Sequence, residues 1–207
     1  MSYRKRPLQR GLYAITNGPR PDLLERVDAV LTGGAKLLQY RDTTQEHTRR
    51  AAEAKAIGEL CRRHQVPFLI ERDITLARRV QADGVHLGPD DDSVSYARQT
   101  LGPEALIGAA CVDDFERACR AVGEGVDYIS FGVFFPSPTV PHAKPVSPDL
   151  LGRAATLDVM RVAIGGITPD NGAPLVAAGA DMLASISTLF DAEDPRATAH
   201  RFSQLFA

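Results

Sequence analysis

Several residue types and patterns are scarce in this chain, and each scarcity excludes a class of protein. There is no tryptophan, and the three cysteines, Cys61, Cys111 and Cys119, include no Cys-x-x-Cys pair. Such a sparse, odd set argues against a disulfide framework and against a zinc site. No apolar run approaches the ~18 residues of a membrane span, and residues 1–10 lack the apolar core of a secretory signal. We therefore expect a cytoplasmic protein with reduced cysteines.

The chain also lacks a strong excess of charge of either sign. Its formal net charge is −2, from 24 basic and 26 acidic residues. This balance gives no electrostatic reason to expect nucleic acid or an anionic membrane as a partner. A length of 207 residues with 44% hydrophobic residues fits one globular domain. We predict a single domain over 1–207, with residues 1–10 as an N-terminal extension.

Short apolar runs alternate with longer amphipathic stretches from end to end. Continuously apolar runs are typical of strands buried on both faces, and their alternation with helices indicates a parallel sheet. Eight such units favour an α/β fold, a single (β/α)8 TIM barrel, over an open doubly wound sheet. The predicted strands are 11–16, 36–40, 66–70, 84–87, 105–109, 127–131, 159–164 and 181–185, and the predicted helices are 21–31, 45–64, 75–80, 93–101, 114–122, 148–155, 169–178 and 195–206.

The loops after strands seven and eight are where such barrels commonly bind phosphate. The seventh loop carries Gly165 and Gly166, which let backbone N–H groups approach an anion closely. Pro169 then starts a predicted helix whose N-terminus points at the same position. The eighth loop offers hydroxyl groups within residues 185–188. A lone Gly-Gly pair usually marks a turn, but the two loops together predict a phosphate site.

The loops after strands two to four carry the charged groups. Arg41 is predicted to clamp an oxyanion or, alternatively, to form an ion pair with Asp42. Carboxylates in Glu71-Arg72-Asp73 and in 90–92 are hard ligands that suit Mg²⁺, although solvation and helix capping explain them equally well.

Two further features lie at strand ends. The long loop after strand six, residues 134–145, carries Ser, Thr and Lys side chains and is predicted to close over a ligand as a lid. His86 ends an apolar strand, and we interpret it as a packed core histidine.

Taken together, these residues resemble the thiamin phosphate synthase family over nearly the whole chain. That resemblance implies a transferase of thiamine biosynthesis that joins hydroxymethylpyrimidine diphosphate to thiazole phosphate, with loss of diphosphate assisted by Mg²⁺ and basic residues. It implies small phosphorylated substrates as partners and leaves the oligomeric state open, a homo-oligomer included. The matching motifs are Gly33-Gly34-Ala35, Gln39-Tyr40-Arg41, residues 82–88, Phe131-Gly132, residues 135–139, residues 164–168, Asn171, Gly179-Ala180-Asp181 and residues 185–187.

The resemblance also implies roles for the residues at matching positions. The pyrimidine diphosphate is expected against residues after strands two and three, and the thiazole carboxylate or phosphate against the lid and the last two loops. In full, the implied substrate contacts are Gln39, Arg41, Glu71, Arg72, Ser137, Thr139, Gly165, Gly166, Ile186 and Ser187, the catalytic residues are Arg41, Thr139 and Lys144, and the magnesium ligand is Asp91.

Several positions depart from the family pattern, all of them in the diphosphate and metal site. Lysines are replaced by Thr43 and Val140, a serine by Ala110, and Asn-Asp by Glu71-Arg72. Losing one preorganised charge contact to a leaving group costs ~3 kcal/mol, or ~100-fold in rate. One compensating scheme is that Arg72 and Lys144 supply the charge of the metal while Arg41 clamps the diphosphate. Activity would then need little Mg²⁺.

Two other functions remain open at this stage. One is a non-catalytic or repurposed relative that binds a phosphate monoester. The other is an isomerase like the thiazole tautomerases of this barrel, which use a histidine just after strand five. The chain has Ala110-Cys111-Val112-Asp113 there. Because a small buried Cys111 is a poor substitute for histidine, we rank the tautomerase last.

Overall fold

Eight parallel strands close into a barrel in which each strand pairs with the next and the last pairs with the first. The computed structural model describes residues 7–137 and 142–207. This topology confirms the predicted (β/α)8 fold, with strand bounds within a few residues of those expected. The strands are β1 Gly11–Ile15, β2 Leu37–Tyr40, β3 Phe68–Glu71, β4 Gly84–Leu87, β5 Leu106–Val112, β6 Tyr128–Phe131, β7 Met160–Ile164 and β8 Met182–Ser185.

Helices follow every strand, and most of them begin and end close to the predicted bounds. A short 3-10 helix, Ala154–Leu157, extends the sixth. Within the described residues, no helix is long and apolar enough to cross a membrane. The helices are α1 Leu23–Thr32, α2 His47–His64, α3 Ile74–Val80, α4 Val94–Leu101, α5 Phe115–Gly123, α6 Asp149–Arg153, α7 Ala173–Ala177, α8 Ser187–Phe190 and α9 Pro195–Gln204.

Strand side chains alternate between the barrel interior and the layer beneath the helices. The inward-facing set, which includes Tyr13, Leu37, Leu69 and Tyr128, forms its own buried cluster. The outward-facing set packs against the helices in a larger core. Because both faces are buried, the strands are apolar throughout. The same alternation turns Gln39, Glu71 and His86, each two residues beyond an inward-facing position, toward the barrel axis near its C-terminal mouth.

Aspartates at the opposite end of the barrel join neighbouring strands. The Phe68 amide donates to Asp83 Oδ2 over 2.8 Å, and the Ile107 amide donates to Asp127 Oδ2 over 2.8 Å. The Arg161 amide likewise donates to Asp181 Oδ2 over 3.0 Å. Each aspartate therefore satisfies a backbone donor at the start of the preceding strand, which explains the repeated aspartates just before strands.

Candidate functional site

The loops after β7 and β8 line one cleft at the C-terminal mouth. Gly165 and Gly166 have φ values of 102° and 62°, a backbone conformation that favours glycine. A Cβ on Gly165 would lie 2.3 Å from Val133 Cβ, and one on Gly166 would lie 2.3 Å from the Pro136 carbonyl oxygen. Ser137 and residues 185–188 complete the lining of the cleft. Both glycines are therefore required by the backbone, and the bare backbone faces the cleft.

The helix expected to start at Pro169 does not start there, so that prediction is wrong. Asn171 holds the loop in a turn, because it accepts a hydrogen bond from the Thr168 amide over 2.8 Å and donates to the Gly166 carbonyl over 3.0 Å. Helix α7 begins only at Ala173. The helix that does meet the cleft is α8, which begins at Ser187. The Leu189 and Phe190 amides bond to the Ile186 carbonyl, which leaves the amides of Ser187 and Thr188 at the cleft end of the helix.

Two guanidinium–carboxylate pairs lie after β2, β3 and β4. Arg41 Nε lies 3.4 Å from Glu71 Oε1, and Arg72 Nε lies 3.4 Å from Asp91 Oδ1. Burial raises the pKa of the Glu71 carboxyl, against the lowering effect of the two arginines. The β2–β4 side of the mouth thus carries two cations on adjacent strand ends.

The alternative partner considered for Arg41 is wrong. Asp42 turns away from it: its Oδ2 lies 2.7 Å from Arg49 Nη1, and its Oδ1 accepts from the Thr44 amide over 2.8 Å. Asp42 therefore anchors the start of α2, and Arg41 remains beside Glu71.

One oxygen of Asp91, the expected magnesium ligand, accepts a hydrogen bond, and the other lies in an ion pair. Its Oδ2 accepts from the Gly88 amide over 2.7 Å, and Oδ1 faces Arg72. Ser93, rather than an aspartate, caps α4 by accepting from the Tyr96 amide. Across 7–137 and 142–207, no group of three or more His, Cys, Asp or Glu side chains is placed to hold a metal ion. These residues are a poor fit to Mg²⁺.

A polar group inside the barrel was missed by the sequence analysis. Tyr13 donates its hydroxyl hydrogen to Gln39 Oε1, its oxygen lies 2.8 Å from the Tyr128 hydroxyl, and Tyr128 lies 2.8 Å from His86 Nδ1. Burial lowers the pKa of His86 to about 4, so the imidazole is neutral near pH 7. The available signal was two tyrosines at inward-facing positions of otherwise apolar strands.

Of the other predicted site residues, some join the mouth and some do not. Ser137 and Ile186 lie in the cleft. Lys144 and Thr43 are exposed, and Thr139 and Val140 fall outside the described residues. Cys111 is fully buried within β5, where burial raises the pKa of its thiol to about 11. The structure therefore gives no support to Cys111 as a proton carrier.

Fold and site together define a (β/α)8 barrel whose mouth combines a glycine-lined cleft with two guanidinium groups. A family model described as "Thiamine monophosphate synthase" matches residues 12–189, so the chain belongs to this family.

Individual relatives agree with that assignment. The chain is 50% identical over 200 residues to a thiamine-phosphate synthase of Halorhodospira halophila, covering 95% of each chain. It is 46% identical over 201 residues to the Thiobacillus denitrificans thiamine-phosphate synthase, again covering 95% of each. Among solved structures, the thiamine phosphate pyrophosphorylase from Pyrococcus furiosus superposes with a TM-score of 0.85 at 31% identity, covering 96% of this chain and 95% of that one.

Proposed function

We propose that the protein is a transferase of the thiamine-phosphate synthase type, joining hydroxymethylpyrimidine diphosphate to thiazole phosphate. One observation carries the proposal: a single barrel mouth presents two separate positions suited to anions. The β7–β8 cleft, with Gly165, Gly166 and Ser187, suits a phosphate monoester. The Arg41 and Arg72 side suits a diphosphate. The relatives are named thiamine-phosphate synthases, which supports thiamin phosphate as the product, and the family resemblance implies the two substrates.

The chemistry asked of this site is a substitution at a methylene carbon. The bond between that carbon and the diphosphate oxygen breaks, and both electrons leave with the diphosphate. The thiazole nitrogen then donates its lone pair to the same carbon and forms the new C–N bond. Arg41 and Arg72 stabilise the charge that develops on the leaving group, and the barrel mouth holds the two substrates in contact.

We further propose that guanidinium groups supply the positive charge that Mg²⁺ is expected to supply. Arg72 Nε lies 3.4 Å from Asp91 Oδ1, one of the two oxygens available to a metal. A guanidinium is permanently charged and binds phosphate oxygens through paired N–H donors. Lys144, exposed on the long loop after β6, is a further cation for the diphosphate.

A second candidate, a binding protein without turnover, is favoured by the replaced positions. Thr43 is exposed and uncharged, and Ala110 offers no side-chain polar group. Each replacement removes a contact that this reaction would use. Binding of thiazole phosphate without product formation is the result that distinguishes this candidate.

The test is product formation by the purified protein from both substrates, with Mg²⁺ and separately with a chelator. We expect thiamin phosphate in both samples, because the charge comes from the chain. Arg72→Asp restores the carboxylate of the family pattern and is the matched variant. We expect its activity to be lost in the chelator and recovered with Mg²⁺.

The other outcomes separate the two parts of the proposal. If the wild-type chain forms product only with Mg²⁺, the synthase activity is supported. The proposal that guanidinium groups replace the metal is then overturned. If no product forms under either condition but thiazole phosphate still binds, the transferase proposal is overturned. The second candidate, a binding protein without turnover, is then supported.

A further inference from the structure

The loop after β1, residues 16–22, separates the two anion positions of the mouth. Strand β1 pairs with β8 on one side and with β2 on the other, so this loop lies between α8, which follows β8, and Arg41, which follows β2. None of its side chains belongs to the proposed substrate contacts. It nevertheless makes hydrogen bonds on both of its sides, and these bonds reach the residues that carry the two positions.

On the β2 side, Thr16 holds the backbone of Arg41. Its buried hydroxyl accepts from the Arg41 amide over 2.8 Å and donates to the Arg41 carbonyl over 3.0 Å. The pairing of β1 with β2 ends at Ile15 and resumes as a single bridge between Gly18 and Asp42. Between these points the Thr16 hydroxyl replaces a backbone partner, since a hydroxyl can both donate and accept.

On the β8 side, Arg20 holds the end of α8. Its Nη1 donates to the carbonyl of Phe190, the last residue of that helix. Asp22 fixes the guanidinium, with Oδ1 2.5 Å from Nε and Oδ2 3.2 Å from Nη2. Asn17 of the same loop donates to Asp191 Oδ1 over 2.7 Å. The C-terminal end of α8 is therefore fixed to the loop after β1.

Helix α8 needs such external contacts because it has only four residues. So short a helix makes few internal hydrogen bonds and has little stability of its own. Its first residue, Ser187, lines the β7–β8 cleft, and Thr188 donates to the Ile167 carbonyl over 3.0 Å. The helix is thus held by the β7 loop at one end and by Arg20 at the other, and the placement of Ser187 depends on both.

We propose that Thr16 and Arg20 are positioning residues, each for one of the two anions. Thr16 fixes Arg41 for the diphosphate, and Arg20 fixes α8 for the phosphate monoester, without either side chain touching a substrate. The proposal deepens the proposed function and rests on it for the identity of the two ligands. Because the two contacts lie on opposite sides of one loop, each residue should affect one ligand only.

Calorimetric titrations of inorganic diphosphate and of thiazole phosphate separate the two contacts. Thr16→Val keeps the side-chain shape and removes the hydroxyl, so we expect diphosphate to bind roughly 10-fold more weakly and thiazole phosphate to bind as before. We expect the reverse for Arg20→Ala. Thr16→Ser retains the hydroxyl and should match the wild type. Arg63→Ala removes an exposed arginine at the far end of α2 and controls for the lost positive charge.

Hydrogen exchange of backbone amides tests the same contacts without any ligand. Thr16→Val should speed exchange at the Arg41 amide, which loses its acceptor. Arg20→Ala should speed exchange at the Phe190 and Asp191 amides, which close the last turn of α8. We expect each change to be several-fold and to leave the amides on the other side of the loop unaffected.

Two results would overturn the inference. One is a variant that weakens both ligands equally or neither of them, and the other is exchange that neither substitution alters. Arg20 is partly exposed, so its variant decides the matter even if Thr16→Val does not fold. Exchange needs no substrate. A chain that shows the expected exchange pattern but makes no thiamin phosphate would retain the positioning residues and lose only the proposed synthase activity.

Discussion

At the scale of single residues, Arg72 places a positive charge where the family pattern has an aspartate, and it does so in an unfavourable backbone conformation. Its φ is 52°, in the left-handed region, and its amide donates to the His86 carbonyl over 2.9 Å, so the backbone there is fixed by the neighbouring strand. Asn and Asp adopt this conformation more readily than longer side chains do. The arginine is thus placed beside Asp91 at some cost in stability.

This cost is measurable by comparing two substitutions that both remove the pair with Asp91. We expect Arg72→Asn to be more stable than Arg72→Ala by about 0.5–1 kcal/mol, because only asparagine relieves the left-handed conformation. The Arg72 side chain is 64% exposed, so loss of the ion pair itself should matter little. Urea unfolding of both variants gives the difference. Equal stability would show that the backbone at this position carries no strain.

How far the sequence predicts the site depends on whether a residue acts alone or through a partner. Gly165, Gly166 and Arg41 were located from strand order alone, because strand ends of a barrel meet at one mouth. The partner of Arg41 was not predictable, because two carboxylates were available: Asp42 is its neighbour in sequence, and Glu71 ends the adjacent strand. Tyr13 and Tyr128 were missed because their partners are brought together only by barrel closure.

At the scale of elements, the aspartates that precede strands act as fixed links between neighbours. Asp127 accepts from the Ile107 amide over 2.8 Å and lies 3.1 Å from Arg98, which also donates to the Gly125 carbonyl. Without the carboxylate, a backbone N–H at the base of β5 loses its acceptor in a partly buried place.

We expect Asp127→Ala to lower the free energy of unfolding by roughly 1–3 kcal/mol, the cost of an unpaired buried donor. Asp92→Ala is the control, because Asp92 is an exposed aspartate in the loop before α4. Thermal or urea unfolding of both variants checks the prediction. A loss no larger than that of the control would mean that water replaces the carboxylate without cost.

Helices α7 and α8 show where element prediction fails. Periodicity predicted one long helix after β7. Asn171 instead forms a turn, so α7 begins later and has only five residues, Ala173–Ala177. Helix α8 has four residues, too few for any periodic signal. Both errors fall at the cleft, where the backbone conformation is set by glycines and side-chain hydrogen bonds rather than by an apolar face.

At the scale of the whole molecule, barrel closure turns separate loops into one site. Eight alternating units were sufficient to predict this topology, because strands apolar on both faces must be covered on both sides. The resemblance placed Arg72 in the expected metal site, but its pairing with Asp91 at 3.4 Å depends on the turn after β3 and was seen only in the structure. Closure also places the arginine side and the β7–β8 cleft around a single mouth.

The most direct test of the central claim, two anion positions in one mouth, is calorimetric titration of inorganic diphosphate into protein saturated with thiazole phosphate. We predict one site for each ligand, without competition. Ser187→Asp should weaken thiazole phosphate by at least roughly 10-fold through like-charge repulsion and leave diphosphate binding intact, whereas the neutral Ser187→Asn should change both little. Competition of the two ligands for one site would contradict the account.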